Sequence, residues 1–305
     1  MIDRLPAIPM NGLSGAEYFD VPCDRIGDTF RVFVAKPLAL QPGKTYPVIY
    51  VLDGNLMFSA VREIHYAMAL AGELSPAFIV GLGYAADDYA SIFAKRDRDY
   101  SPTDGGDHGP FTESEARARF GGAANFLDFL ETELKPEIAK AYPVDPDDST
   151  LVGSSFGGLF ASWLLMTRPD AFRRYVLCSP SIWWHDEMIW QWEDRYAADR
   201  DDLEASVFVT AGGFETIEKT KEYMQEIFRT NAPAKERAEK TYARFEQHGW
   251  PRMAEITPEF TAKLQSRHYP GLDICCHTMP DETHMSVWPG GISRGLRYVF
   301  GAWKP

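Results

Sequence analysis

Ser155 stands in Gly153-Ser154-Ser155-Phe156-Gly157, a G-x-S-x-G pentapeptide between a β-branched run ending at Val152 and an apolar helical run from Leu159 to Met166. Strand, sharp turn and helix form the context in which this pattern makes a nucleophile elbow, with the serine on a strained turn and its Oγ in a cleft. Glycines are needed two residues either side because a side chain there would collide with the neighbouring strand or helix. Ser154 does not fit the frame, since it would need glycines where Val152 and Phe156 stand.

A serine hydroxyl is a poor nucleophile near neutral pH and needs a base, normally a histidine oriented by a carboxylate. Of the histidines after the motif, His284 lies in the polar loop Pro280-Asp-Glu-Thr-His-Met-Ser286, just beyond the last predicted strand. The carboxyl edge of the sheet would place it over the site, which makes it the candidate base. His277 lies inside that strand and reads as a packed histidine, and His185 sits beside two tryptophans where a pocket wall would be. The segment Val207-Phe-Val-Thr-Ala-Gly-Gly-Phe-Glu215 supplies strand, glycine turn and carboxylate, so Glu215 is the candidate acid; Glu218, Asp273 and Asp281 are held in reserve. If Glu215 faces solvent, a Ser–His dyad remains. An oxyanion hole needs two backbone N–H groups aimed at the developing alkoxide. Phe156 offers one and Asn55, after the Asp53-Gly54 turn, the other, with Asp53 read as a turn-anchoring carboxylate.

The elements that would hold these groups alternate along the chain. Pro47–Asp53 and Ala77–Leu82 are continuous apolar runs, as buried parallel strands require. Further strand signals are Thr150–Val152, Arg174–Cys178, Ser206–Ala211 and Leu272–Met279, while Thr29–Ala35 alternates like a half-exposed edge strand. Amphipathic stretches lie between them, notably Ala123–Ala141 and Ile217–Phe228. This alternation predicts a mostly parallel, doubly wound α/β sheet with helices on both faces. Two regions interrupt it. Asp87–Phe120, rich in Asp, Arg, Gly and Pro, reads as a long irregular loop; Thr230–Pro270 is charged and helical in parts, either a small helical lid or insertion or a solvated excursion.

With 305 residues, 45% hydrophobic and 25% charged, the chain fits one large soluble α/β domain spanning 1–305 with an insertion at 230–270. A net charge of −13 disfavours nucleic acid and anionic membrane as partners, because a polyanion is repelled over most of the surface. No stretch approaches the ~20 apolar residues of a membrane span, and the opening residues carry no secretory leader pattern. Cys23, Cys178, Cys275 and Cys276 suit neither a disulfide framework nor a zinc site. The expectation is a cytoplasmic protein without metal or cofactor that acts on a small molecule; the oligomeric state is open.

Several segments in order, Tyr46–Gly54, Arg96-Asp-Arg-Asp-Tyr-Ser-Pro-Thr103, Phe126–Pro136, the elbow, Ser179-Pro-Ser-Ile-Trp-Trp184 and Glu282-Thr-His284, resemble the esterase family of α/β-hydrolases. That family includes esterase D-like enzymes, mycolyltransferases and enterochelin (trilactone siderophore) esterases, and the last branch resembles this chain most. The resemblance implies an α/β-hydrolase fold and a serine carboxylic ester hydrolase in which Ser155, His284 and Glu215 form the triad and Asn55 and Phe156 the oxyanion hole. Where the family often carries histidine before the nucleophile, this chain has Ser154. Two substrate-binding groups follow from the resemblance. Arg96 and Arg98 either clamp an anion or catecholate or form ion pairs, and Trp183 and Trp184 either stack on a ligand ring or pack in the core. Acyl transfer to an alcohol acceptor, and a non-catalytic binding protein of the same fold, are the alternatives.

Overall fold

In the computed structural model, residues 5–105, 120–230 and 232–302 are described. The strands are β1 (Ile8–Pro9), β2 (Ala16–Cys23), β3 (Asp28–Ala35), β4 (Tyr46–Val51), β5 (Phe78–Tyr84), β6 (Val144–Ser154), β7 (Arg174–Cys178), β8 (Ala205–Gly212) and β9 (Leu272–Met279). They form one sheet in the order β1-β2-β3-β5-β4-β6-β7-β8-β9. From β5 to β9 the neighbours run parallel, and β1, β2, β3 and β5 pair antiparallel. The chain winds outward in both directions from β4 and β6, so the switch in strand order falls between them. In open α/β sheets that is where the strand ends leave a crevice.

The expectation for Thr29–Ala35 is corrected. β3 is interior, covered by β2, whose residues Ala16 to Cys23 pair with it along its whole length. Pro22 and Asp20 obscure that partner in the sequence. The expectation of irregular chain across Asp87–Phe120 is corrected in part. Tyr89–Tyr100 is a helix, started by the Asp88 carboxylate accepting from Ser91 N–H at 2.8 Å. Residues 106–119 of that stretch lie outside the described residues.

Helices cover both faces. We label them α1 (Gly54–Leu70), α2 (Tyr89–Tyr100), α3 (Ala123–Phe129), α4 (Lys135–Ala141), α5 (Phe156–Thr167), α6 (Ile189–Asp199), α7 (Ile217–Thr230), α8 (Ala232–His248), α9 (Met253–Ser266) and α10 (Val287–Val299). A five-residue π turn, Leu130–Leu134, joins α3 to α4. One core layer joins Phe30, Phe126, Phe129 and Phe160, with Phe30 and Phe129 stacked at 4.6 Å; the other joins Phe58, Ile79, Val176, Phe208 and Leu296. Each such side chain contributes about 1.5–3 kcal/mol by leaving water. Of the region expected as lid or insertion, α9 belongs to the core, burying Ile256, Phe260 and Leu264 on the sheet. The exposed excursion is instead α7 and α8, which run antiparallel: Lys221 pairs with Glu246, and Phe228 packs on Tyr242. Helix α7 buries no residue fully. Among the described residues no helix is long and apolar enough to cross a membrane.

Candidate active site

Ser155 joins β6 to α5 with φ 56° and ψ −120°, a backbone that L-residues rarely adopt. A short approach makes Gly153 obligatory, and a tight one favours glycine at 157. A Cβ on Gly153 would lie 2.4 Å from Gly157 O, and one on Gly157 would lie 3.3 Å from Leu52 Cβ and Asp53 Oδ2. Strain of this kind, of order 1–3 kcal/mol, persists only where the surroundings over-determine it. Here Ser155 N–H donates to Cys178 O at 3.0 Å, and Ser155 O accepts from Ser181 N–H at 3.0 Å. Ser155 is half-buried while its neighbours in the elbow are buried.

Glu215 closes a 3₁₀ turn, Gly213–Glu215, directly after β8. Its Oε1 is 2.6 Å from His284 Nδ1, and its Oε2 accepts from Gly212 N–H at 2.6 Å and from the Ser179 hydroxyl. The turns bearing Glu215 and His284 touch backbone to backbone: Phe214 N–H donates to Glu282 O at 3.0 Å. Only glycine permits this, since a Cβ on Gly212 would lie 2.3 Å from Glu282 O and one on Gly213 would lie 2.4 Å from Pro280 O. Thr283 and Ser286 bond each other across the His284 turn, and α10 starts from it. The carboxylate is buried and the imidazole about a third exposed, so the pair can orient a proton acceptor toward a cleft.

The first amides of two helices lie at the switch in strand order. Asn55 stands at the start of α1, and its side chain pairs with the Tyr84 backbone in both directions, accepting from N–H at 2.7 Å and donating to O at 3.0 Å. Phe156 opens α5. Backbone N–H groups at helix N-termini have no partner within the helix and favour negative charge.

The chain matches the family described as Putative esterase over residues 24–268. It belongs to that esterase family. It is 32% identical to the ferri-bacillibactin esterase BesA of Bacillus subtilis over 281 residues, covering 89% of this chain and 84% of the relative. It is 28% identical to the siderophore triacetylfusarinine C esterase of Aspergillus fumigatus, with 99% and 98% covered. The crystal structure of the BES protein from Bacillus cereus superposes with a TM-score of 0.74 at 29% identity, covering 95% of this chain and 97% of that one. The fold is that of an α/β-hydrolase, and the protein is a carboxylic ester hydrolase. The binding-protein alternative falls away with this family membership.

Not every residue expected around the esterase site lies where a substrate would meet it. Arg96 is buried and committed: its Nε donates to Asp53 Oδ1 at 2.6 Å, and its Nη2 donates to Asp53 Oδ2 at 3.2 Å and to Ser154 O at 3.1 Å. Arg98 forks onto Asp99 at 2.7 and 2.9 Å and onto Asp28 at 3.2 Å. Both guanidiniums are therefore structural rather than an anion clamp, because carboxylates of this chain already fill their donor forks. Asp53, with φ 55°, is the turn anchor expected of it. Trp184 is corrected from ligand-stacking to core: it is buried, donates from Nε1 to Thr103 Oγ1 at 3.0 Å, and packs its ring on Phe120 and Phe156. Trp183 is half-buried between Phe156 of the elbow and Phe245 of α8, with ring centroids 6.4 and 6.3 Å away.

Three features escaped the sequence reading. The hydroxyl beside Ser155 Oγ is Ser181 Oγ at 3.4 Å, and among the described residues Ser155 makes no side-chain hydrogen bond to His284. Ser179 holds the Glu215 carboxylate. His185, Asp186 and Glu187 form a consecutive left-handed run, with φ between 51° and 58°, behind the tryptophan pair. The Ser-Pro-Ser-x-Trp-Trp segment was the visible signal for all three, but nothing in it announces which strand end it braces.

Proposed function

We propose that the esterase acts on siderophore-type esters through an acyl-enzyme on Ser155, with His284 as base, Glu215 as orienting acid, and Asn55 and Phe156 N–H as oxyanion donors. The observation carrying this reading is the 2.6 Å Glu215–His284 pair at the strand edge where Ser155 sits on its left-handed turn. Ser155 Oγ leaves Ser181 for His284 Nε2 and loses its proton to it as the Oγ–carbonyl bond forms. The tetrahedral oxygen takes its charge between the two helix-terminal amides. Collapse breaks the ester C–O bond, and the imidazolium returns the proton to the departing alkoxide. Water repeats the sequence, releasing the carboxylic acid and free Ser155. The antiparallel α7–α8 hairpin serves as lid, with Phe245 against Trp183 forming an aromatic wall beside the nucleophile.

The substrate class is supported by the two curated relatives, whose names record esters of iron-binding siderophores. Ser155→Ala is expected to lower turnover of short p-nitrophenyl esters by at least about 10³-fold with unchanged circular dichroism. Wild-type-like turnover by that variant would end the serine mechanism. Incubation with a catecholate trilactone and with triacetylfusarinine C, each iron-free and ferric, should release open-chain products detectable by mass spectrometry. Inertness toward all four, beside intact p-nitrophenyl acetate hydrolysis, would discard the siderophore reading and keep the chemistry.

A further inference from the structure

Ser179 follows β7 with φ 43° and is fully buried. Its hydroxyl donates to Glu215 Oε2, the oxygen that also accepts Gly212 N–H, which leaves Oε1 to His284. The backbone that delivers this hydroxyl is braced at successive points. Ser179 N–H donates to Thr210 O at 2.7 Å, and Ser181 N–H donates to Ser155 O at 3.0 Å. Pro180 lies so close to α5 that a Cβ on Gly158 would fall 2.7 Å from its Cα. One three-residue turn thus touches the nucleophile's backbone at one end and the acid's carboxylate at the other. A terminal carboxylate torsion is broad and soft, and two donors on one oxygen fix it.

We propose that Ser179 is a positioning residue that fixes the Glu215 carboxylate, and through it the His284 ring, relative to the Ser155 turn. The proposal rests on the Ser155–His284–Glu215 reading. Its hydroxyl acts through Glu215 and touches no reacting atom, so the expected signature lies in turnover rather than binding.

Ser179→Gly and Ser179→Ala, assayed on p-nitrophenyl acetate, separate this role from a structural one. Glycine tolerates φ 43° without a Cβ penalty, which offsets part of the stability lost with the buried hydroxyl, so Ser179→Gly should melt no lower than Ser179→Ala and both should remain folded at the assay temperature. Both variants should lose about tenfold in kcat, with KM within about twofold. In a Glu215→Gln background the same substitutions should change kcat by less than about twofold, because the carboxylate they act on has gone. Wild-type kcat in either stable single variant, or full additivity with Glu215→Gln, overturns the proposal alone. Wild-type turnover by Glu215→Gln removes the acid from the mechanism and this proposal with it.

Discussion

At the exits of β4, β6, β7 and β8 the chain turns sharply and every turn is tied to a neighbouring element. Asp53 N–H donates to Tyr100 Oη at 3.0 Å, Ser155 N–H to Cys178 O, Ser179 N–H to Thr210 O, and Phe214 N–H to Glu282 O. Three of these turns carry a non-glycine residue at positive φ: Asp53, Ser155 and Ser179. The α7–α8 hairpin is built otherwise. Its helices hold one another with an aromatic edge of Phe228, Tyr242, Phe245 and Trp250 and with the exposed pair Lys221–Glu246, while pairs such as Lys219–Glu222 and Glu236–Lys240 stay within one helix each. Strained, cross-braced backbone can hold a few atoms within tenths of an ångström. A hairpin of weak exposed contacts can open and close locally at small cost. The division suits a rigid reacting centre beside a movable wall.

The largest effect should come from cutting one brace. Asp53→Ala leaves the Arg96 guanidinium buried, facing Ser154 O and the Phe156 ring 5.5 Å from its centre, without its carboxylate. Breaking a buried pair by removing one partner costs about 3–5 kcal/mol, and chemical denaturation should show a loss of that size. The double variant Asp53→Ala/Arg96→Met should recover part of it. A loss under about 1 kcal/mol would show that the β4 exit is held by its hydrogen bonds alone, and the contrast with the hairpin would narrow.

That brace marks where sequence reasoning stops. The pentapeptide, the glycine pair before Glu215 and the loop of His284 were legible because each needs a particular residue type at a fixed offset from a strand. The parallel strands were legible because burial on both faces leaves continuous apolar runs. β2 was not, since alternating residues with a proline and an aspartate carry no sign of which strand they cover. Nor was the fate of Arg96, Arg98 and Trp184. An Arg-Asp repeat reads alike whether its partners are substrate or the chain, and only the 43-residue separation closed by the Asp53–Arg96 pair decides it. Ser179 and Ser181 were quoted as a resemblance without a task, because hydroxyls have no spacing rule.

Arg252, between the hairpin and the core, should give an intermediate effect and a diagnostic pH dependence. It donates to Glu187 at 2.6 and 3.0 Å and to Glu259 at 2.8 Å, and Glu187 ends the left-handed run behind Trp183 and Trp184. The hydrogen bond from Arg252 holds the Glu187 carboxyl below its ordinary range. Both side chains are a little over a quarter exposed, so solvent screening limits the pair to about 1 kcal/mol. A carboxyl whose folded value is depressed adds stability that is complete above its unfolded value, roughly 4.3, and is lost as pH falls through the folded value. Arg252→Met should therefore melt lower than wild type at pH 7, with the gap closing as pH falls below the ordinary carboxylate range. A gap independent of pH would mean that Arg252 contributes packing by its stem rather than charge.

The smallest effect should come from the hairpin itself. Lys240 reaches Glu236 at 2.8 Å one turn back on α8, and both side chains are more than two-thirds exposed. The two charges keep most of their hydration when apart, and ordering two long side chains offsets what the contact gains. Salt at 0.15 M screens exposed charges over about 8 Å, which weakens the pair further. Lys240→Ala should shift Tm by about 1 °C or less and leave kcat on p-nitrophenyl acetate unchanged, with the same result at low and high salt. A drop of several degrees, or a fall in kcat, would mean that α8 transmits its stability to the strand exits through Phe245 and Trp183. The hairpin would then belong to the rigid centre rather than to a wall that moves beside it.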